Sequence, residues 1–288
     1  MSDATPNRKP TDDEIDVHGL THVGKARTEN QDHFVLATIH KRVHLLATNL
    51  PESDRAPLGD ERLAFLAMVA DGVGGGQGGA QASATALATA TQYVNASIAC
   101  MYGQRVNESD ITEALQQAAT RAHEAIVARR DAEGIEGSMA TTLTLYLGIW
   151  PYTYVLQVGD SRYYLLHDGV LRQVTRDQTI AEDLLERGVL SRTQAFRSPY
   201  AHVLSSALGS DTAMPVVTSI RSDWQHVHLM CSDGLTKHVS DERIGEILRG
   251  MTSAKQACEQ LLQEALDGGG SDNITIIVGR AVAKESRG

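Results

Sequence analysis

The chain has 288 residues, enough for one or two domains and a large buried core. Hydrophobic residues make up 42% and charged residues 22%, the balance of a soluble globular protein. A formal net charge of −10 argues against nucleic acid or an anionic membrane as the main partner, and the longest clean apolar run, Leu63 to Ala70, is far too short to span a bilayer. Cys100, Cys231 and Cys258 are far apart and have neither disulfide nor metal spacing, which points to a reducing cytoplasm.

Residues 1 to about 15 are polar and aperiodic, and they are expected to form a disordered tail. Asp16 to Leu20, Asp32 to Thr38 and Val43 to Thr48 are β-rich, and a proline-containing loop separates the third from the strand Leu63 to Ala70. From Gly78 to Met101 the chain is alanine-rich, with Ala82, Ala86, Ala90 and Val94 spaced for one helix face. A second helix is expected to run from Ser109 or Asp110 to about Arg130, with Asp110 and Glu113 at capping-box spacing. Thr141 to Leu147 alternates as a half-buried strand does, and Thr153 to Val158 is another strand. Arg162 to Leu166 and Val170 to Val174 flank His167-Asp168-Gly169, a hairpin signal. Gln178 to Gly188 and Ser191 to Phe196 read as helices that interrupt the strand pattern, either as an insert over a site or as a packed connection. The strand Val227 to Cys231, helices over Asp241 to Arg249 and Ser253 to Leu266, and the strand Ile274 to Val278 complete the chain. Many strands joined by short turns, with helices in two pairs, predict an α+β fold of antiparallel sheets covered by helices.

Three acidic turns lie at strand ends. Leu63 to Ala70 runs into Asp71-Gly72-Val73-Gly74-Gly75, Val227 to Cys231 runs into Ser232-Asp233-Gly234-Leu235, and Ser271-Asp272-Asn273 opens the last strand. An apolar strand that stops at Asp-Gly puts a carboxylate on a sheet rim, and converging rim carboxylates bind hard cations such as Mg²⁺ or Mn²⁺. Antiparallel pairing lets one sheet rim gather all three. The glycine run after Asp71 lets backbone approach an ion and offers the Gly72 carbonyl as a ligand. Asp168-Gly169 and Asp267-Gly268 read as ordinary turns, and Asp160, taken alone, also reads as a turn residue. Arg27 is the best anion-binding candidate, because a guanidinium holds phosphate through two parallel hydrogen bonds. The eleven histidines show no helical metal spacing, and neither a phosphate-binding lysine loop nor a serine nucleophile elbow is present.

As an ordered set, these segments resemble the metal-dependent protein phosphatase family, also called the protein phosphatase 2C family. The resemblance rests on Arg27-x-x-Asn30-Gln31-Asp32, Asp71-Gly-x-Gly-Gly, Val158-Gly-Asp160-Ser-Arg162, Leu208-Gly209, Cys231-Ser-Asp233-Gly-Leu and Ser271-Asp272-Asn-Ile-Thr, which span about residues 16 to 280. It implies an α-β-β-α sandwich, with one phosphatase domain over residues 16–282 and a flap at about 178–203. It also implies hydrolysis of phosphoserine and phosphothreonine by water activated between two Mg²⁺ or Mn²⁺ ions. Asp71 would bridge the ions, the Gly72 carbonyl would bind one, Asp233 and Asp272 would ligate the first, and Asp32 would act near them through water. Arg27 would bind the substrate phosphate, and Asp160 with Asp233 would serve a weaker third ion. Partners would be phosphorylated proteins and an opposing serine/threonine kinase pathway, with neither nucleic acid nor membrane. The chain departs from the pattern at Gln31, where some members carry Glu, and at Val73, Gly76 and Gln178, where histidine is found in others, so no general acid is assigned. Two other readings are a catalytically silent relative that binds phosphoproteins and a binuclear-metal phosphodiesterase. The intact Asp71, Asp233 and Asp272 argue against the first, and the acidic balance argues against the second.

Overall fold

The computed structural model describes residues 8–41, 61–74, 78–101, 107–135 and 137–283. The strand expected at Val43 to Thr48 and the position of Gly76 lie outside the described residues. Among the described residues, eleven strands form two antiparallel sheets. The first sheet has the order β1 (Ile15–His22), β11 (Ile274–Ala281), β10 (Val227–Cys231), β7 (Arg162–His167), β8 (Val170–Gln173). The second has the order β2 (Asp32–Lys41), β3 (Glu61–Val73), β5 (Leu143–Ile149), β6 (Tyr152–Val158), β9 (Val216–Arg221), with the short β4 (Ala140–Thr141) paired to the end of β3.

Side-chain alternation sorts these strands into layers. Along β3, Leu66, Met68 and Ala70 face the outer helices α1 (Gly78–Met101) and α2 (Glu108–Glu133), while Ala67 and Val69 face the other sheet. The inter-sheet layer is completed by Val155, Tyr163, Met230 and Ile277. On the far side, Leu229, Cys231, Ile274, Ile276 and Val278 pack under α6 (Asp241–Arg249) and α7 (Ala254–Asp267). The result is the expected α-β-β-α sandwich. Strands buried on both faces carry continuous apolar runs, which is why Leu63 to Ala70 shows no alternation. Ala82, Ala86 and Ala90 are fully buried on α1, so that helix sits close against its sheet. Among the described residues, no helix is long and apolar enough to cross a membrane.

Local signals held in most places. Asp168 (φ 49°) and Gly169 (φ 73°) make the left-handed hairpin turn between β7 and β8. The cap of α2, however, lies three residues before the expected one. Asn107 accepts from the Asp110 backbone N–H at 3.0 Å, and Asp110 accepts from the Asn107 N–H at 3.1 Å. Residues 8–14 also differ from the expected tail. Arg8 grips the buried Glu14 carboxylate through two hydrogen bonds of 2.6 Å, and the Trp224 indole N–H donates to the Arg8 carbonyl at 2.8 Å. Their partners lie up to 216 residues away, so local polarity could not show the order. The exposed edge strand β9 was not anticipated either.

Residues 178–203 form a side lobe with α3 (Ile180–Glu186) and α4 (Arg192–Phe196). Its base is stitched by the Ile180 N–H to the Val203 carbonyl at 2.8 Å and the Ser205 N–H to the Gln178 carbonyl at 2.9 Å. Its outer face leaves Val189 and Phe196 exposed.

Candidate active site

The acidic residues meet at one end of the sandwich. Asp32 opens β2 and pairs in register with Asp71 near the end of β3. Asp160 follows β6 in the same sheet, whereas Asp233 follows β10 and Asp272 precedes β11 in the other. This corrects the single-rim expectation. Asp233 and Asp272 share a rim as antiparallel neighbours should, but Asp71 faces them from the opposite sheet. The β3 strand also continues through Asp71 to Val73, held by β4, where the sequence suggested a turn.

Backbone and hydroxyl groups set the orientation of these carboxylates. The Asp71 N–H donates to Thr142 Oγ1 at 3.0 Å, and its carbonyl accepts from the Thr142 N–H at 2.9 Å. Gly72 has no room for a side chain, because a Cβ there would strike the carbonyls of Gly79 and Gln31. The Asp32 Oδ2 accepts from Ser232 Oγ at 2.7 Å and from Thr275 Oγ1 at 2.8 Å, bonds that join the two sheets. Gly24 adopts φ 82° and lies against the carbonyls of Gly270 and Asp272, docking the Arg27 loop on the Asp272 turn. Asn273 secures that loop, accepting from the Gln31 N–H at 2.9 Å and donating to the carbonyls of Val23 and Glu29, each at 2.9 Å.

Two basic side chains meet the acidic group. Arg27 bonds Asp272 in a fork, Nε to Oδ1 at 2.7 Å and Nη2 to Oδ2 at 3.0 Å. Lys237 Nζ lies 2.6 Å from Asp233 Oδ2 and 2.7 Å from Asp272 Oδ2. Burial works against ionisation of Asp272, but Arg27 and Lys237 outweigh it and hold the carboxyl below its usual range. Asp32, Asp160 and Asp71 move the opposite way. Burial raises Asp32 to about 6 despite its two hydroxyl donors, with Asp233 adding to the rise. Burial, Asp233 and Asp177 raise Asp160 to about 8. Burial raises Asp71 well above its ordinary value, reinforced by Asp32, Asp233, Asp160 and Asp272.

This donor set suits a hard divalent cation. It is built of carboxylate oxygens that oppose one another's ionisation, and Asp32 Oδ1 and Asp233 Oδ1 are buried with no hydrogen-bond donor. Among the described residues no three acidic, histidine or cysteine side chains are drawn into a ready-made ligand group. Asp233 and Asp272 instead turn toward Lys237 and Arg27.

The residues border a cleft of about 920 Å³ lined by Arg27, Asp71, Gly72, Asp160, Asp233 and Asp272, with His202 to Ser205 of the lobe margin on its other side. All the predicted site residues except Asp32 therefore reach the cleft lining, and Asp32 lies beneath it, hydrogen-bonded to Ser232. Gln178 accepts from the Gly159 N–H at 2.8 Å and donates to the Met214 carbonyl at 2.9 Å, so it braces the turn that carries Asp160. The lining residue Val73 has no ionisable proton, and the one histidine on the described cleft wall is His202. The sequence reading missed Lys237, Ser232, Thr275 and Asn273. For Lys237 a signal existed, since it stands four residues after Asp233 across one helical turn. The other three stand inside the quoted motifs, but what they do shows only in their contacts.

The family described as Protein phosphatase 2C matches residues 44–268. A serine/threonine protein phosphatase PstP of Mycobacterium tuberculosis is 33% identical over 219 residues, which cover 76% of this chain and 41% of that protein. The chain thus spans about two fifths of the length of that relative. A serine/threonine phosphatase stp of Listeria monocytogenes is 30% identical over 214 residues, covering 74% of this chain and 83% of that one. A solved structure of the catalytic domain of PstP, in complex with two manganese ions, aligns with a TM-score of 0.70 at 26% identity, covering 93% of this chain and 99% of that one. With its sandwich, its ordered acidic turns and a family match over most of its length, this chain belongs to the protein phosphatase 2C family.

Proposed function

We propose that this chain is a metal-dependent protein serine/threonine phosphatase that hydrolyses phosphoserine and phosphothreonine. The observation that carries this reading is the convergence of four carboxylates from two sheets on one open cleft beside Arg27, with a fifth, Asp32, beneath it and two buried carboxylate oxygens lacking donors. Asp71, the Gly72 carbonyl, Asp233 and Asp272 would hold two Mg²⁺ or Mn²⁺ ions, and Asp32 would lie behind them. Bound there, the ions would supply Lewis acidity and lower the pKa of a coordinated water toward neutrality. Arg27 lies on the cleft wall and would orient the substrate phosphate through its planar fork. Ser232 and Thr275 hold the Asp32 carboxylate and Thr142 fixes the Asp71 backbone, while Asp233 and Asp272 would turn from Lys237 and Arg27 to take a cation. The substrates would be phosphorylated proteins and the setting a kinase-opposed signalling pathway. The free thiols of Cys231 and Cys258, both buried, suit a reducing cytoplasm.

The test is hydrolysis of a phosphothreonine peptide, a simple aryl phosphate monoester and an aryl diester, each titrated with Mn²⁺. Monoester turnover that depends on Mn²⁺ and falls by about a thousandfold in Asp71→Asn, with circular dichroism unchanged, is the expected result. Near wild-type turnover of Asp71→Asn at saturating Mn²⁺ would sink the assignment. Preference for the diester would make the chain a phosphodiesterase. Phosphopeptide binding without turnover would make it a silent relative.

A further inference from the structure

Asp233 starts α5 (Asp233–Thr236), a helix of a single turn, and Lys237 caps its end. Four residues apart on a helical turn, the two side chains lie on one face, so the lysine folds back over the carboxylate. Its Nζ reaches Asp233 Oδ2 at 2.6 Å and Asp272 Oδ2 at 2.7 Å at once, bridging the acidic ends of two neighbouring strands. Only about a fifth of the lysine side chain (21%) is exposed, and the two carboxylates are more buried still. Its charge also reaches Asp160, where it opposes the effects of burial and of Asp233. Asp233 Oδ1 is left without a donor. One ammonium therefore takes one oxygen from each of two carboxylates, lies within electrostatic reach of a third, and leaves the buried Oδ1 of Asp233 without a donor.

An ammonium and a divalent ion cannot share the same carboxylate oxygens, because their repulsion at contact distance in a partly desolvated site is large. We propose that Lys237 is a tethered cation that occupies the position between Asp233 and Asp272, so that this centre takes two divalent ions and excludes a third. The inference rests on the metal-dependent reading above. It gives Lys237 a positioning and charge-balancing role that does not require contact with the substrate.

The experiment counts bound Mn²⁺ by equilibrium dialysis with elemental analysis, and measures affinities by calorimetry. It uses the wild type, Lys237→Gln, Lys237→Met, which keeps the apolar stem, and Lys237→Arg, which keeps the charge. The wild type and Lys237→Arg are expected to bind two ions. Lys237→Gln and Lys237→Met are expected to bind three, the added ion at least roughly tenfold tighter than any third ion in the wild type. In EDTA the two neutral variants are expected to melt below the wild type, and Mn²⁺ is expected to close that gap. Three ions on the wild type, or two on the neutral variants with unchanged affinities, would overturn the proposal. A loss of fold in both neutral variants that Mn²⁺ does not repair would also overturn it, since Lys237 would then be a packing residue. A wild type that binds no Mn²⁺ would defeat the metal-dependent reading and this inference with it, which separates the two failures.

Discussion

Arg27 and Asp272 meet as a guanidinium fork on a carboxylate, and the pair defines what each can do. The arginine side chain is more than half exposed, so the ion pair contributes little to stability and its value lies in orientation. It sets a planar, always-charged donor set on the cleft wall, where under the proposed function a substrate phosphate would take the same fork. Arg27→Ala is expected to raise KM for a phosphothreonine peptide about tenfold, the loss of one charge-assisted contact, while kcat falls less. Steady-state kinetics alongside Mn²⁺ calorimetry checks this. If KM holds steady and Mn²⁺ affinity drops, Arg27 serves only to place Asp272. The carry-over of Arg27 from its motif was legible in the sequence, but its pairing partner 245 residues away was not.

The alanine face of α1 shows how an element's composition sets its distance from the sheet. Ala82, Ala86 and Ala90 are fully buried and belong to the cluster containing Leu66, Met68 and Leu145. Small side chains every fourth residue let the helix backbone approach the strands, which keeps the first turn of α1 against Gly72 and the site. Ala86→Leu adds volume with no cavity to take it and is expected to cost about 2 kcal/mol, read from urea unfolding. A change within a few tenths of a kcal/mol would mean that the helix–sheet layer is loosely packed. The spacing of these alanines predicted the helix and its buried face directly. Strand β9 escaped notice for the opposite reason, since pairing to β6 leaves no local pattern. The 310 turn at Asp12–Glu14 did leave one, the Thr11–Glu14 capping box, which the polarity of the segment masked.

Across the whole molecule, the carboxylates of two sheets are held facing one another, and the fold bears the cost of that charge. Asp32 and Asp160 have folded-state pKa values raised from 3.8 to about 6 and about 8 by burial first and neighbouring carboxylates second. In the folded state they bind protons more tightly than in the unfolded chain, so their stabilising contribution is complete below 3.8 and is lost as pH rises through those values. Asp272 has a lowered pKa and works in the other direction, but its effect is lost only as pH falls through its own, lower folded value. In EDTA the melting temperature is therefore expected to fall by several degrees between about pH 5 and about pH 8, and saturating Mn²⁺ is expected to remove most of that fall. Asp160→Asn is expected to flatten the upper half of the curve. A melting temperature that rises steadily over this range in EDTA would contradict the arrangement.

By itself the sequence determined most of the strands and helices and which strand ends carry acid. Apolar periodicity and Asp-Gly punctuation are local physics, written in neighbouring residues. The order of the motifs was also enough to indicate the sandwich and the family. Only the tertiary structure decided that the site is shared between two sheets, because Asp71 and Asp233 are brought together by sheet packing and not by any spacing along the chain. It alone placed Ser232 and Thr275 on Asp32, and Lys237 between Asp233 and Asp272. Hydroxyls and a lysine are ordinary surface residues until a fold buries a carboxylate beside them, and what they do then depends on distance and desolvation, which no linear pattern records.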